Sequence, residues 1–144
     1  MRLFSIAVTA LLISVLPGWE TNFEKAVEKA KKEHKFILLK FSGSDWCIPC
    51  IRMQKEIFDS PSFQQYADSS LVLVNADFPR LKKNQLSKDQ QKQNDKLAEK
   101  YNTQGSFPLT LILDEKGTVL KRWDSYSSMT PEQFISQIKS IPHA

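Results

Sequence analysis

Residues 36–50 read FILLKFSGSDWCIPC, an apolar run followed by Cys47 and Cys50, which are the 2 cysteines of the chain. Two cysteines separated by two residues can lie on one face of the first turn of a helix, close enough for disulfide geometry. A disulfide that closes so small a loop restricts the unfolded chain little, so it contributes little as a structural cross-link. We therefore interpret Cys47 and Cys50 as a redox-active pair.

The residues around the cysteines predict a strand that leads into a helix. Residues 36–41 form a short apolar run that is interrupted by Lys40, as in a central strand. Pro49 fits the first helical turn, where a missing N–H costs nothing, and we predict a helix over residues 47–58. Trp46 stands immediately before the first cysteine.

This arrangement resembles the thioredoxin superfamily, whose signature is Trp-Cys-x-x-Cys at a strand-to-helix junction. The segment GSFPLT at residues 105–110, with the apolar run 111–113 and the turn 114–117 after it, is similar to the cis-proline segment and hairpin of that family. The resemblance covers residues 19–141. It implies an α/β, thioredoxin-like fold, in which a central mixed β-sheet is flanked by helices.

The resemblance also implies a site. Cys47, at the helix start, is the expected nucleophile with a pKa below the free value of roughly 8.5, and Cys50, one turn inward and less exposed, is the resolving cysteine. Pro108 would be cis, so that the backbone of Phe107 pairs with an extended substrate beside Trp46. Two alternatives stay open, because Trp46 could be a lid on the core and Pro108 could be an ordinary trans proline. We expect no cofactor and no metal at this site.

The rest of the chain predicts alternating helices and strands. Thr21 and Glu24 form a Ser/Thr-x-x-Glu capping pattern for a first helix that ends near His34. Further elements are a helix over 60–67 with Ser60 as its cap, a strand over 71–76, a helix capped at Ser87 within 78–101, strands over 109–113 and 118–123, and a last helix from Thr130-Pro131.

The N-terminus predicts export. Arg2 precedes an apolar run over residues 3–16, which is shorter than the roughly 20 residues of a membrane-spanning helix. We predict a signal peptide over residues 1–18 and one thioredoxin-like domain over 19–144, a monomer in the periplasm or secreted, with no stable membrane insertion after cleavage. A buried N-terminal helix is the alternative. The formal net charge of +4 does not indicate nucleic-acid binding.

Two features leave the direction of electron flow open. Lys40 occupies the position nearest to the buried acid that many thioredoxins carry, and it either lies under the cysteine helix or points to solvent. The dipeptide between the cysteines, Ile48-Pro49, differs from the Gly-Pro of reducing thioredoxins. Basic residues over 80–100 are interpreted as a solvated helix face, with a partner-docking surface as the alternative.

We therefore predict an exported thiol-disulfide oxidoreductase that exchanges electrons with protein cysteines through Cys47 and Cys50. Its partners would be protein thiols or disulfides and an unidentified redox partner. The alternative is a thioredoxin-fold binding module, either a copper(I) chaperone that uses both thiolates as soft ligands or a non-catalytic docking domain. Structural zinc is not expected, because a closed site needs third and fourth ligands.

Overall fold

A mixed sheet of five strands forms the centre of the molecule, in a computed structural model that describes residues 18–143. The strand order is β1-β3-β2-β4-β5. Strands β1, β3 and β2 run parallel, whereas β4 is antiparallel to β2 and β5 is antiparallel to β4. The strands are β1 Trp19–Glu20, β2 Phe36–Ser42, β3 Leu71–Asp77, β4 Leu109–Leu113 and β5 Val119–Trp123.

Five α-helices cover the two faces of this sheet, as the resemblance predicts. They are α1 Phe23–Glu33, α2 Ile48–Met53, α3 Pro61–Ser70, α4 Lys88–Tyr101 and α5 Pro131–Lys139. A π-helical turn, Gln54–Phe58, continues α2, and a short 3-10 turn, Lys82–Asn84, precedes α4. The predicted cysteine helix over 47–58 is therefore correct in extent but changes its hydrogen-bond pattern after Met53.

Strand β2 is buried along its whole length, because both faces of the sheet are covered. Ile37, Leu39 and Phe41 pack with α1 and α4 on one face. Phe36 and Leu38 pack on the other face, with α3, α5 and the helix that carries the cysteines. Burial of each such side chain contributes about 1.5–3 kcal/mol. Since side chains alternate along a strand, Lys40 shares the face of Leu38.

The helix starts confirm the predicted caps at Ser60 and Ser87 and the predicted start of the last helix at Thr130-Pro131, and they correct the predicted cap of the first helix. Ser60, Ser87 and Thr130 each accept a hydrogen bond from the backbone N–H three residues on. The cap of α1 is Asn22, whose Oδ1 accepts from the N–H of Lys25 at 2.9 Å, and the predicted cap at Thr21 is wrong. The helix starts one residue later than the Ser/Thr-x-x-Glu pattern indicates, and Asn caps as well as Thr does.

Strand β1 has no counterpart in the predicted elements. It has 2 residues, Trp19 and Glu20, which pair with Leu73 and Val74 of β3. So short a segment shows no hydrophobic period, and only its pairing defines it as a strand. The predicted signal peptide over residues 1–18 lies outside the described residues apart from Gly18. Within the part of the chain that is described, no helix has the length and apolar character needed to cross a membrane.

Candidate active site

The cysteines lie where β2 passes into α2. After β2 the chain turns at Gly43, whose carbonyl accepts hydrogen bonds from the N–H groups of Trp46 at 3.2 Å and Cys47 at 2.8 Å. Cys47 is the N-cap of α2 and Cys50 lies in its first turn. The two sulfurs form a disulfide with an S–S distance of 2.08 Å and a Cα–Cα distance of 5.2 Å.

Position in the helix, and not exposure, distinguishes the two cysteines in this oxidised form. We expected Cys47 to be more exposed than Cys50, but both residues are 4% exposed. Their sulfurs are bonded to each other, while Ile48 between them is 71% exposed. The Sγ of Cys47 accepts a hydrogen bond from the N–H of Cys50 at 3.3 Å. A sulfur that accepts from a helix N-terminus is stabilised as a thiolate after reduction.

Trp46 is half-buried and is held from several sides. Its indole Nε1 donates a hydrogen bond to the carbonyl of Phe78 at 2.7 Å. Its ring meets the ring of Phe107 edge to face, with centroids 5.4 Å apart, and the guanidinium carbon of Arg80 lies 3.6 Å from its centroid. Trp46 therefore connects the cysteine motif to two distant segments of the chain.

Gly43 leaves the space that the Trp46 indole occupies. A Cβ atom at Gly43 would lie 2.3 Å from Cε2 of Trp46, a distance at which atoms overlap. Glycine is required at this position because the Trp46 ring approaches its Cα closely. The backbone angles of Gly43 do not themselves require glycine.

The Phe107–Pro108 peptide bond is cis, and the trans alternative is wrong. Pro108 is buried directly before β4. The ring of Phe107 contacts Phe78 as well as Trp46, with centroids 5.5 Å and 5.4 Å away. We call Trp46, Phe78 and Phe107 the aromatic trio. The predicted site residues on the motif and on the proline segment thus meet through Trp46 and Phe107.

Lys40 lies under the cysteine helix, so the alternative of a solvent-facing lysine is wrong. The residue is 8% exposed, and its Nζ donates a hydrogen bond to Oε1 of Gln54. Nζ also lies 4.1 Å from the ring centroid of Trp19 and 5.4 Å from that of Phe58. Burial lowers the pKa of Lys40 from 10.5 to about 8, although the Asp77 and Asp59 carboxylates act in the opposite direction.

Lys40 and the second cysteine both line a cavity of about 310 Å³. Its lining is Lys40, Ser42, Ser44, Cys50, Ile51, Gln54, Lys55, Asp59 and Asn75. Gln54 also donates to Asp59 at 2.7 Å, and Oδ1 of Asn75 is buried with no hydrogen-bond partner among the described residues. Sequence reasoning missed Gln54, Asp59 and Asn75. The position of Gln54, one helical turn after Cys50, was the available signal.

Sequence reasoning also missed Asp45, which ties the motif to the loop after β3. Its carboxylate accepts from the N–H groups of Arg80 and Leu81, both at 2.9 Å, and from Nδ2 of Asn84 at 3.0 Å. The hydrogen bond from the Arg80 N–H is the main reason that the pKa of Asp45 is below its usual value. Ser44 also connects the motif to β3, because its N–H donates a hydrogen bond to Asp77 at 2.9 Å.

Comparison with known proteins identifies the fold and the family. A family model described as a thioredoxin-like domain matches residues 23–141. The chain belongs to the thioredoxin-like family. A relative from Chlamydia pneumoniae, disulfide bond reductase DsbH, is 36% identical over 122 residues, which are 85% of this chain and 70% of that protein.

Solved structures agree with this membership of the thioredoxin-like family. A structure titled DsbH oxidoreductase has a TM-score of 0.78 and 31% identity, and the match covers 96% of this chain and 93% of that one. A disulphide isomerase from Xylella fastidiosa Temecula1 shares the fold, with a TM-score of 0.62, 20% identity and coverage of 88% and 99%. With its Cys47–Cys50 pair at disulfide distance, the chain is a thiol-disulfide oxidoreductase homologous to DsbH.

Across residues 18–143, no group of three or more His, Cys, Asp or Glu side chains is placed to hold a metal ion.

Proposed function

We propose that this thioredoxin-like protein is an exported reductase of protein disulfides, with Cys47 as nucleophile and Cys50 as resolving cysteine. The observation that carries the proposal is the Cys47–Cys50 disulfide at the start of α2, in a chain whose relative is named a disulfide bond reductase. The positive end of the α2 dipole favours a thiolate at Cys47 more than at Cys50.

The reaction transfers two electrons in two exchanges. In the reduced protein, the Cys47 thiolate attacks one sulfur of a substrate disulfide, forms a mixed disulfide and releases the first substrate thiolate. Cys50 then loses its proton, and its thiolate attacks Sγ of Cys47 and releases the second substrate thiolate. The protein is left with its Cys47–Cys50 disulfide, and a dithiol of a redox partner protein reverses these exchanges on it to restore the reduced form.

The substrate lies along the segment that leads into β4. Phe107 and Pro108 immediately precede β4, and the Phe107 ring contacts Trp46 next to Cys47. An extended substrate segment would pair with the backbone of Phe107, while the half-buried indole of Trp46 supplies an apolar surface beside the sulfur. No cofactor takes part in these exchanges.

Lys40 supports the second exchange. Its ammonium lines the same cavity as Cys50 and is shielded from water. A nearby cation favours the charged form of a thiol, so it favours the Cys50 thiolate that the resolving step needs. Both the helix start and Lys40 stabilise the reduced pair, and we place its reduction potential between about −270 and −200 mV, within the range of reducing and glutaredoxin-type members.

Export is the second half of the proposal. Arg2 and the apolar run over residues 3–16 have the pattern of a signal peptide, and an oxidising compartment is where a dedicated protein-disulfide reductase has substrates. We propose that residues 1–18 are removed and that residues 19–144 act as a monomer in the periplasm or outside the cell. N-terminal sequencing of the protein recovered from the exported fraction tests this, and a product that still begins at Met1 would contradict it.

Turnover of a protein disulfide, together with the potential of the pair, tests the reductase. The purified protein should accelerate reduction of insulin by dithiothreitol, and its potential, equilibrated with glutathione, should fall in the stated range. A potential near −120 mV would instead indicate an oxidant, and one below about −300 mV a structural disulfide that does not cycle. Absence of insulin reduction, with stoichiometric copper(I) binding, would favour the binding module.

A further inference from the structure

The loop between β3 and α4, residues 79–86, is fixed to the cysteine motif. Both carboxylate oxygens of Asp45 accept backbone N–H groups of this loop, from Arg80 and Leu81 at 2.9 Å each. Asn84 adds a third bond to Asp45 at 3.0 Å. Because Asp45 stands two residues before Cys47, the loop keeps a defined position beside the nucleophile.

Arg80 brings a positive charge next to Trp46 and the cysteine motif. Its guanidinium carbon lies 3.6 Å from the ring centroid of Trp46, over the face of the indole. The same indole contacts Phe107, the residue before the cis proline. A substrate segment that pairs with the backbone of Phe107 beside Trp46 therefore lies close to the Arg80 guanidinium.

The charges of the loop are free to meet a partner. Arg80, Lys82 and Lys83 are exposed, and the ion pairs found within residues 18–143 join Lys35 to Glu33, Arg52 to Glu56 and Arg122 to Asp124. The two neighbouring acids are engaged within the chain, since Asp45 accepts from the loop backbone and Asp77 accepts from Ser44. Leu81, 48% exposed, lies among these cations and adds an apolar side chain.

We propose that the loop 79–86 determines substrate selectivity at the active site. Its cations favour protein substrates that carry Asp or Glu close to the reacting cysteine. The occupant is an extended acidic segment of the substrate, with its carboxylate on Arg80 and the neighbouring lysines. This inference rests on the proposed function and adds the substrate class to it. Charge complementarity at such a rim acts mainly on the rate of encounter and weakens with salt.

Two peptides with one disulfide each test this preference for acidic substrates. They are identical except that one carries Glu and the other Gln next to the reacting cysteines. At low salt, kcat/KM of the wild type for the Glu peptide should exceed that for the Gln peptide about 1.4- to fivefold per charge, the range of exposed ion pairs. The ratio should approach one in Arg80→Gln, and also for the wild type at high salt.

Lys139→Gln is the matched control, because Lys139 is an exposed cation whose Nζ lies 5.6 Å from the ring centroid of Tyr66, outside the aromatic trio. It should keep the preference of the wild type. A ratio of one in the wild type, or an unchanged ratio in both Arg80→Gln and a Lys82→Gln/Lys83→Gln double variant, would overturn the inference. Reduction of insulin by the wild type separates the outcomes, since failure there contradicts the proposed function itself.

Discussion

Lys40 donates a hydrogen bond through its ammonium to the side-chain oxygen of Gln54, one helical turn after Cys50. The backbone N–H of Gln54 in turn donates to the carbonyl of Cys50. A buried cation on the central strand is thereby joined to the helix that carries the resolving cysteine, at the edge of a cavity that Cys50 also lines. We therefore expect the charge on Lys40 to influence the redox chemistry of the pair.

Replacement of Lys40 by Met should make the pair less oxidising. Loss of the cation destabilises the Cys50 thiolate and with it the reduced form, so the thiol should titrate at higher pH. A change of half to one pKa unit corresponds to a fall in reduction potential of roughly 15–30 mV. Glutathione equilibrium gives the potential, and the ultraviolet absorbance of the thiolate gives the titration.

Lys55→Met controls for the loss of one charge. Lys55 lines the same cavity but is exposed, so water and salt screen its ammonium. Its removal should move the potential by less than half as much. Equal shifts in the two variants would show that burial of Lys40 has no special role.

The free energy of unfolding should depend on pH through Lys40. The pKa of its ammonium is about 8 in the folded protein and 10.5 in the unfolded chain, so the unfolded chain binds more protons between these values. Stability should therefore rise with pH in this window, because the cost of burying the charge is fully present below pH 8 and is lost above pH 10.5.

Urea unfolding of the wild type and Lys40→Met isolates this contribution. The stability of the wild type relative to the variant should increase by about 2–3 kcal/mol between about pH 7 and pH 10. A difference that does not change with pH would contradict a buried, destabilised ammonium.

Gly43→Ala should destabilise the protein by about 1–3 kcal/mol, the usual cost of overpacking. Its Cβ would lie 2.3 Å from the Trp46 ring, which would have to leave Phe107 and the Phe78 carbonyl. Urea unfolding measures the cost, and Trp46→Leu provides the background without the ring. If Gly43→Ala costs as much in that background as in the wild type, the clash with the indole is not its cause.

Asp45→Ala should loosen the loop 79–86. The amides of Arg80 and Leu81 lose their acceptor and should exchange hydrogen roughly tenfold faster. The amide of Ser44, which donates to Asp77, is the internal reference and should keep its rate. Unchanged exchange at Arg80 would mean that Asp45 does not hold the loop.

Local patterns made much of the fold predictable. Ser60, Ser87 and Thr130 lie directly before helices and cap them, so their own neighbours carry the signal. The cap of α1 was misplaced by one residue, because Thr21 and Asn22 are both suitable capping residues. Strand β1 escaped prediction because it consists of two residues defined by pairing with β3.

The residues of the site likewise differ in whether a local sequence pattern could predict them. Trp46, Cys47 and Cys50 lie within one short motif, and its position at a strand-to-helix junction could be predicted from the sequence. The bond between Asp45 and the loop spans 35 residues, and no local pattern encodes such a pairing. For Lys40 the sequence left two orientations, since the alternation along β2 becomes informative only once the helix on each face is known.

Trapping of a mixed disulfide tests the central claim most directly, which is that Cys47 attacks protein disulfides and Cys50 resolves the product. Reduced Cys50→Ser, mixed with oxidised insulin, should form a covalent adduct that non-reducing mass spectrometry maps to Cys47, while Cys47→Ser should form no adduct and show no turnover. Equal trapping by the two variants, or an adduct on Cys50 alone, would contradict the account.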